Sequence, residues 1–207
     1  MICLYATTAK NEPCSTDRRA LLINGSPRAD GPTARLLAAL ESSLPATVAV
    51  QRFDCFAQPV LPCNDCRACH IIDGCARPDL KEFYRALEDA ALLVFASPVY
   101  NLSFPAPLKA VVDRTQRYWA ARFVRNIRPP IVRPKRVVLL TAAGADDPEG
   151  GGMLERQLRP VLTILNGTLV SCVHYAGADT GRDITPFLRK AEAAGRILTE
   201  TESPQGE

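Results

Sequence analysis

The stretch ALLINGSPRADGPTARLLAAL, from Ala20 to Leu40, decides the fold. It begins with an apolar run, Ala20 to Asn24, passes through a loop of glycine and hydroxyl residues, and ends with leucines at three- and four-residue steps. A short apolar run without hydrophobic–polar alternation is typical of a strand buried on both faces, and this leucine spacing is typical of a helix packed on one face. The stretch therefore predicts a strand, turn and helix of the kind that builds parallel sheets.

Four further apolar runs predict four more strands, at Thr47 to Phe53, Ala91 to Ser97, Arg136 to Thr141 and Thr168 to Tyr175. The first of these is the most polar and suits an edge strand, whereas the others look buried on both faces. Helical patterns lie between them and after the last one, at Leu36 to Leu44, Leu80 to Ala90, Leu108 to Trp119, Leu154 to Leu165 and Leu188 to Leu198. Pro160 is expected to kink or shift its helix. The alternation predicts a doubly wound parallel sheet, whose ligands bind beyond the carboxyl ends of the strands.

Length and composition fit one globular domain. The chain has 207 residues, of which 47% are hydrophobic and 23% charged, and a net charge of +3, which is too small to indicate nucleic acid as a partner. It has no run of about 18 uncharged apolar residues and its start lacks an apolar signal segment, so we expect a cytoplasmic protein without a membrane partner. We expect residues 1–18 to be an extension, 19–202 the domain, and 203–207 a polar tail.

The loop NGSPRADGPT, Asn24 to Thr33, is a candidate anion site. It precedes a helix, and backbone N–H groups at a helix start, aided by the Ser26 and Thr33 hydroxyls and by Arg28, can surround a phosphate. An ordinary strand-to-helix turn with a hydroxyl cap explains the same residues. The loop matches neither the G-x-x-x-x-G-K-[ST] nor the G-x-G-x-x-G pattern, so nucleoside triphosphate hydrolysis and a Rossmann dinucleotide site lose support.

Four of the eight cysteines form one compact run. Cys63, Cys66, Cys69 and Cys75 follow the spacing C-x2-C-x2-C-x5-C, and Asp73-Gly74 offers a turn that brings the last thiol back to the others. Such a run suits an iron–sulfur cluster better than zinc, which usually takes two separated C-x2-C pairs, although zinc and idle reduced thiols stay open. Of the other cysteines, Cys55 is a weak candidate for a spare ligand and Cys172 is expected in the core.

A second loop, SPVYNLSFPAPLKAVVDR, runs from Ser97 to Arg114 into a helix. Together with GSPRADGPT and the cysteine run, it resembles the flavodoxin-like NAD(P)H-dependent FMN reductases, and among them the iron–sulfur flavoproteins. The resemblance covers Ala20 to Arg114 and extends more weakly to Tyr175. It implies a five-stranded parallel sheet of order 2-1-3-4-5 with the cysteine-rich loop, residues 61–76, after strand 2. Iron–sulfur flavoproteins often carry two aspartates after the last cysteine, of which this chain keeps Asp79.

The resemblance also implies a site. Three groups of residues would hold FMN: the phosphate loop, the loop lining the isoalloxazine, where backbone N–H groups near Tyr100 and Asn101 are the expected donors, and a loop that closes over the ring or the ribityl chain. These are Ser26, Arg28, Gly31 and Thr33; Ser97, Pro98, Val99, Tyr100 and Asn101; and Thr141, Ala142 and Gly144. The four cysteines of the compact run would bind a 4Fe–4S cluster.

The function implied by the resemblance is an FMN-dependent oxidoreductase that moves electrons between a donor, ferredoxin or NAD(P)H, the cluster and FMN, toward an unnamed small-molecule acceptor. No residue is assigned a catalytic role, and a homodimer or homotetramer is expected. The alternatives are an NAD(P)H-dependent FMN or quinone reductase without a cluster and a non-catalytic electron carrier.

Several charged and aromatic residues near the second loop have two interpretations. Lys109 and Asp113, four residues apart, are expected to pair on a helix surface. The segment from Arg117 to Arg136 holds seven basic and no acidic residues, and would either dock an acidic partner or a 2′-phosphate, or form a solvated rim. Trp119 and Phe123 within it are expected to pack, in the latter case against a second subunit.

Overall fold

The structure is a computed structural model that describes residues 18–57 and 59–200. Almost all of the predicted extension, with Cys3 and Cys14, and the whole polar tail lie outside the described residues. The remainder folds around one sheet.

Five parallel strands form that sheet in the order 2-1-3-4-5, which confirms the predicted doubly wound topology. The strands are β1 Arg19–Asn24, β2 Ala49–Asp54, β3 Leu92–Pro98, β4 Lys135–Ala142 and β5 Gly167–Tyr175. The central strand β3 is buried along its whole length, whereas β2 lies at an edge and is mostly exposed, as its polar sequence predicts. Helices cover both faces.

The helices are α1 Pro32–Ser42, α2 Lys81–Asp89, α3 Ala106–Asp113, α4 Gln116–Phe123, α5 Glu149–Leu165 and α6 Thr185–Thr199. Neighbouring residues of β1 point to opposite faces, so they enter different cores. Leu22 belongs to the core formed with α1 and α6, and Ile23 to the core formed with α2, α3, α4 and α5. Because each face of the sheet is closed by helices, the loops at the carboxyl ends of the strands are left to carry function.

The structure corrects two expectations. The helix predicted from Leu108 to Trp119 is two helices, because the chain turns at Arg114 and Thr115. The last strand is not buried on both faces: β5 is an edge strand, and Cys172 on it is exposed rather than part of the core. The helix α5 continues through Pro160 to Leu165.

No helix in the described part of the chain is long and apolar enough to cross a membrane.

Candidate functional site

The loop after β1 is tied to the sheet and closed on itself. Gly25 N donates to Ala96 O at 2.8 Å, which fixes the start of the loop to β3. The buried Ser26 donates from its hydroxyl to Arg28 O at 3.1 Å, and the same hydroxyl accepts from Arg28 N at 3.2 Å. Gly31 directly precedes α1, and Thr33 lies buried in the first turn of that helix. The predicted phosphate-binding residues therefore lie around one helix N-terminus, with the Arg28 side chain exposed.

The loop after β3 makes a two-residue hairpin turn. Val99 N donates to Ala142 O at 2.8 Å, and Tyr100 and Ser103 exchange two backbone hydrogen bonds of 3.0 and 2.9 Å. Between them, Asn101 and Leu102 have φ values of 50° and 57°. These positive angles at both central residues are those of a type I′ turn. The Tyr100 N–H is used inside the turn, so the donors that the turn offers to a ligand are the N–H groups of Asn101 and Leu102.

The loop after β4 is fixed by a histidine that the sequence interpretation missed. Thr141 Oγ1 and His174 Nδ1 are 2.8 Å apart, and His174 Nε2 is 3.1 Å from Asp147 O. Because a carbonyl oxygen only accepts, Nε2 carries a proton; in the neutral ring Nδ1 then accepts from the Thr141 hydroxyl. His174 thus holds both ends of the loop from Thr141 to Asp147, whose middle is fixed by a hydrogen bond from Asp179 N to Gly144 O.

These three loops leave the sheet at the same end, beyond the carboxyl ends of the strands. The register pairs Asn24 with Ala96 and Ser97 with Thr141, so the carboxyl ends of β1, β3 and β4 are level. The structure therefore brings the three groups of predicted flavin-binding residues together at the carboxyl ends of the strands, as the doubly wound topology requires.

The four cysteines of the compact run line a single cavity of about 530 Å³. Cys63 and Cys66 are exposed, whereas Cys69 and Cys75 are partly buried. Burial, and then the charges of the other three thiols, Cys75 first, raise the pKa of Cys69. Gly74, with φ of 136°, bends the chain directly before Cys75, which is the turn predicted for Asp73-Gly74. Sequence-distant residues, among them Arg114, Arg117 and Trp119, complete the cavity wall.

The thiols are not arranged around one ion. Among residues 18–57 and 59–200 no group of three or more His, Cys, Asp or Glu side chains is placed to hold a metal ion. Zinc with Zn–S distances of about 2.3 Å needs its sulfurs only about 3.8 Å apart. Cys55, the weak candidate for a spare ligand, does not line the cavity: it is buried in the core, where burial and the Asp54 charge raise its pKa to about 12.

A buried arginine closes the cysteine loop. Arg114, only 2% exposed, donates to Leu61 O at 2.8 Å, to Arg77 O at 3.1 Å and to both carboxylate oxygens of Asp79 at 3.0 and 3.1 Å. Asp79 also accepts from Leu61 N at 3.1 Å. Burial alone would raise the pKa of Asp79 and lower that of Arg114, but their ion pair reverses both shifts, so both groups stay charged.

The helix α4 and the residues directly after it pack against the same loop. Arg125 makes an ion pair of 2.9 Å with Asp73, and Arg117 lies 3.8 Å from the same carboxylate. The Trp119 ring lies 6.2 Å from that of His70. Two arginines of the basic segment therefore face the cysteine loop rather than open solvent. By contrast, Lys109 and Asp113 form the predicted partly exposed pair, at 2.6 Å.

A profile of the NADPH-dependent FMN reductases matches residues 18–180. The chain belongs to the NADPH-dependent FMN reductase family. It is therefore a flavin-dependent oxidoreductase that uses FMN, as the two loop motifs predict.

Individual relatives of this FMN reductase carry two kinds of name. An iron–sulfur flavoprotein of Archaeoglobus fulgidus is 30% identical over 185 residues, covering 86% of this chain and 91% of the relative. An FMN-dependent NADH:quinone oxidoreductase of Gluconobacter oxydans is 31% identical over 142 residues, covering 61% and 68%. The solved NAD(P)H:quinone oxidoreductase from Methanothermobacter marburgensis aligns with a TM-score of 0.67 at 19% identity, covering 90% of this chain and 98% of the other. That structural match confirms the flavodoxin-like fold.

Proposed function

We propose that this FMN reductase is an iron–sulfur flavoprotein, in which a 4Fe–4S cluster on Cys63, Cys66, Cys69 and Cys75 exchanges electrons with FMN. The observation that carries the proposal is the convergence of these four thiols on one cavity. The iron–sulfur flavoprotein of Archaeoglobus fulgidus, similar along most of both chains, supports it. The cluster supplies one-electron transfer, and its potential depends on the charges and hydrogen bonds around its sulfurs.

The cavity fits a cluster better than a zinc ion. A cubane cluster holds its four thiolates further apart than one zinc ion does, because each sulfur binds a different iron. The thiols share a wall of a cavity of about 530 Å³ without the close grouping that a single ion needs. Partial burial of Cys69 and Cys75 on one side, with Cys63 and Cys66 exposed on the other, would leave the cluster near the surface, where a redox partner can reach it.

The residues at the carboxyl ends of the strands match the parts of FMN that they would hold. The loop from Asn24 to Thr33 offers a helix N-terminus and hydroxyls to the phosphate. The free N–H groups of Asn101 and Leu102 would donate to the polar edge of the isoalloxazine, and the loop from Thr141 to Asp147 would border the ring. Bound FMN accepts electrons singly or in pairs, so it joins one-electron and two-electron partners.

Donor and acceptor are assigned by class. NAD(P)H is the donor and a quinone the acceptor named in similar proteins, and we propose both for this reductase. Ferredoxin is a second donor that would deliver single electrons to the cluster. A reductase without a cluster would turn over NAD(P)H and quinone equally well after the loss of a cysteine, and a pure carrier would reduce no small acceptor at all.

We also propose that the chain forms a homodimer through α4. Phe123, Val124 and Ile127 expose large apolar side chains, and Trp119 and Phe123 border a groove against α5. Contiguous apolar surface of this kind is typical of protein interfaces. Sedimentation equilibrium measures the state directly, and Phe123→Glu is expected to give monomers if this face is the interface.

The cluster is tested by metal and sulfide analysis of protein purified without oxygen. About four irons and four acid-labile sulfides per chain, with broad absorption beneath the flavin bands, are expected for the wild type. Cys66→Ser is expected to lose the iron and to keep FMN. Cys172→Ser, which removes an exposed thiol far along the chain from the cavity, is the matched control and is expected to keep both. Zinc in place of iron, or iron that survives Cys66→Ser, would refute the cluster.

A further inference from the structure

Arg114 has one N–H group that the protein leaves unused. An arginine side chain has five N–H donors, and Arg114 uses four of them: two at Nη1 for Leu61 O and Asp79, and two at Nη2 for Arg77 O and Asp79. The fifth, at Nε, is buried and has no hydrogen-bond partner among the described residues. A buried donor without a partner is costly, about 1–3 kcal/mol, so such a group favours a ligand or an ordered water that accepts its hydrogen bond.

The same side chain lines the cavity of the four cysteines. We propose that Arg114 is a positioning residue, which holds the cysteine loop closed and presents its unused N–H and its positive charge to the sulfur-rich group in that cavity. This inference rests on the proposed cluster and goes beyond it, because it assigns a residue outside the cysteine run to the site.

Loop closure follows from where the hydrogen bonds fall. Leu61 lies two residues before Cys63, and Arg77 lies two residues after Cys75. The Arg114 guanidinium therefore hydrogen-bonds to the chain just outside the first and the last proposed ligand. Asp79 accepts two hydrogen bonds from Arg114, which form a bidentate ion pair and neutralise the buried guanidinium charge, and it accepts a third from Leu61 N. Lysine has a single ammonium and cannot make this planar set of contacts.

The charge has a predictable effect on the cluster. Reduction adds one negative charge to a cluster that four thiolates already make negative, so a nearby cation stabilises the reduced form and raises the potential. Asp79 has the opposite sign and the opposite effect. A purely structural pair would give no reason for the two residues to act in opposite directions.

Three variants test this sign, with the cluster potential measured by a redox titration followed by electron paramagnetic resonance. Arg114→Met is expected to lower the potential and Asp79→Asn to raise it. Arg114→Lys keeps the charge and is expected to stay nearer the wild type than Arg114→Met does. Arg85→Met removes an arginine from an exposed ion pair with Glu82 and is the control, with an unchanged potential expected. Shifts of the same sign for Arg114→Met and Asp79→Asn, or no shift for either, would overturn the charge role.

Loop closure is tested on the same preparations by hydrogen–deuterium exchange of residues 61–77. Both Arg114→Met and Arg114→Lys are expected to speed exchange there by roughly tenfold or more, because the grip on Leu61 and Arg77 is lost, while α6 and Arg85→Met stay unchanged. An unchanged exchange rate of residues 61–77 in both variants would show that Arg114 does not hold the loop closed.

This second measurement separates the inference from the proposed function. If the wild type holds no iron, the cluster and the charge role are both wrong, and exchange still decides whether Arg114 closes the loop. If iron is present but neither potential nor exchange responds to Arg114, the cluster stands and the inference is wrong. Should Arg114→Met fail to fold, Asp79→Asn still tests the sign of the potential shift, and Arg114→Lys still tests loop closure by hydrogen–deuterium exchange.

Discussion

Ser26 is the residue whose surroundings bear most directly on phosphate binding. It is buried, its hydroxyl bridges to Arg28, and its N–H donates to Asn24 Oδ1 at 3.0 Å. The hydroxyl thus shapes the loop in front of α1. Its removal frees the Arg28 N–H from its partner and takes a donor away from the place where the predicted phosphate would lie.

Ser26→Ala is therefore expected to weaken FMN binding by about tenfold, corresponding to one lost hydrogen bond to a charged group. Riboflavin lacks the phosphate and is expected to bind wild type and variant alike. Fluorescence quenching of each flavin gives the two dissociation constants. Ser42→Ala, which removes an exposed hydroxyl bound to Ala39 O at the end of α1, is the control. An equal loss of FMN and riboflavin affinity would place Ser26 away from the phosphate.

The roles of several residues at the site could not be predicted from the sequence, because no local motif marks them. Leu102 occupies a positive φ that usually calls for glycine or asparagine, so nothing in its identity indicates a turn. His174 acts on Thr141 only because β5 pairs with β4 in a register that places the two side by side. Arg114 falls inside the helix predicted from Leu108 to Trp119, so nothing in the local pattern indicates that it is buried. Ser26, Thr33 and the cysteines, by contrast, belong to local motifs, and local motifs are what a sequence displays.

The start of α5 shows how an element is shaped by its neighbours. The stretch EGGG, Glu149 to Gly152, forms the first turn of the helix. Gly150 and Gly151 are buried, and a Cβ at Gly151 would lie 2.5 Å from His174 Cγ. Small residues here let α5 approach the histidine that holds the loop from Thr141 to Asp147. Gly152 is exposed, and a Cβ there would meet nothing within 4 Å.

Two single substitutions in this turn are expected to act in opposite directions. Gly151→Ala should lower the free energy of unfolding by about 1–3 kcal/mol, because the added methyl group displaces the His174 ring. Gly152→Ala should raise it by about 0.5–1 kcal/mol, because alanine is the better helix former and the site has room. Urea unfolding measures both, and Gly151→Ala should also bind FMN more weakly. Equal effects of the two substitutions would contradict the close packing against His174.

The division between α3 and α4 marks the limit of periodicity as a guide. Helical spacing predicts a single helix through Leu108, Val111, Val112, Thr115 and Trp119. In the structure Thr115 Oγ1 donates to Val112 O at 2.7 Å, and the helix ends as Arg114 turns to the cysteine loop. At this break Arg114 hydrogen-bonds to residues 35, 37 and 53 positions earlier, and no local pattern records such contacts. The five strands, whose signal is local, were predicted to within about two residues at each end.

At the scale of the whole molecule, one buried lysine joins the sheet to a helix. Lys135 opens β4, and its ammonium donates to Ala90 O at 2.7 Å and to Glu88 O at 3.3 Å, carbonyls at the carboxyl end of α2. A cation there is favourable for the helix, yet the group is out of water. Burial, followed by the charge of Arg133, lowers the pKa of Lys135 to about 8.

This shift makes the stability of the fold depend on pH in a defined direction. The unfolded chain keeps the ordinary lysine pKa of 10.5, so between pH 8 and 10.5 it binds more protons than the folded protein. The free energy of unfolding therefore gains a contribution as pH rises through this window, by about 2 kcal/mol between pH 7.5 and 10. Lys135→Met lacks the group, so urea unfolding at the two pH values should show wild type gaining stability relative to the variant. Lys81→Met, exposed at the start of α2, is the control and should keep a constant difference from wild type. If the free energy of unfolding of wild type falls relative to that of Lys135→Met as pH rises, the Lys135 ammonium stabilises the folded state. Its hydrogen bonds to the α2 carbonyls would then outweigh the cost of its burial.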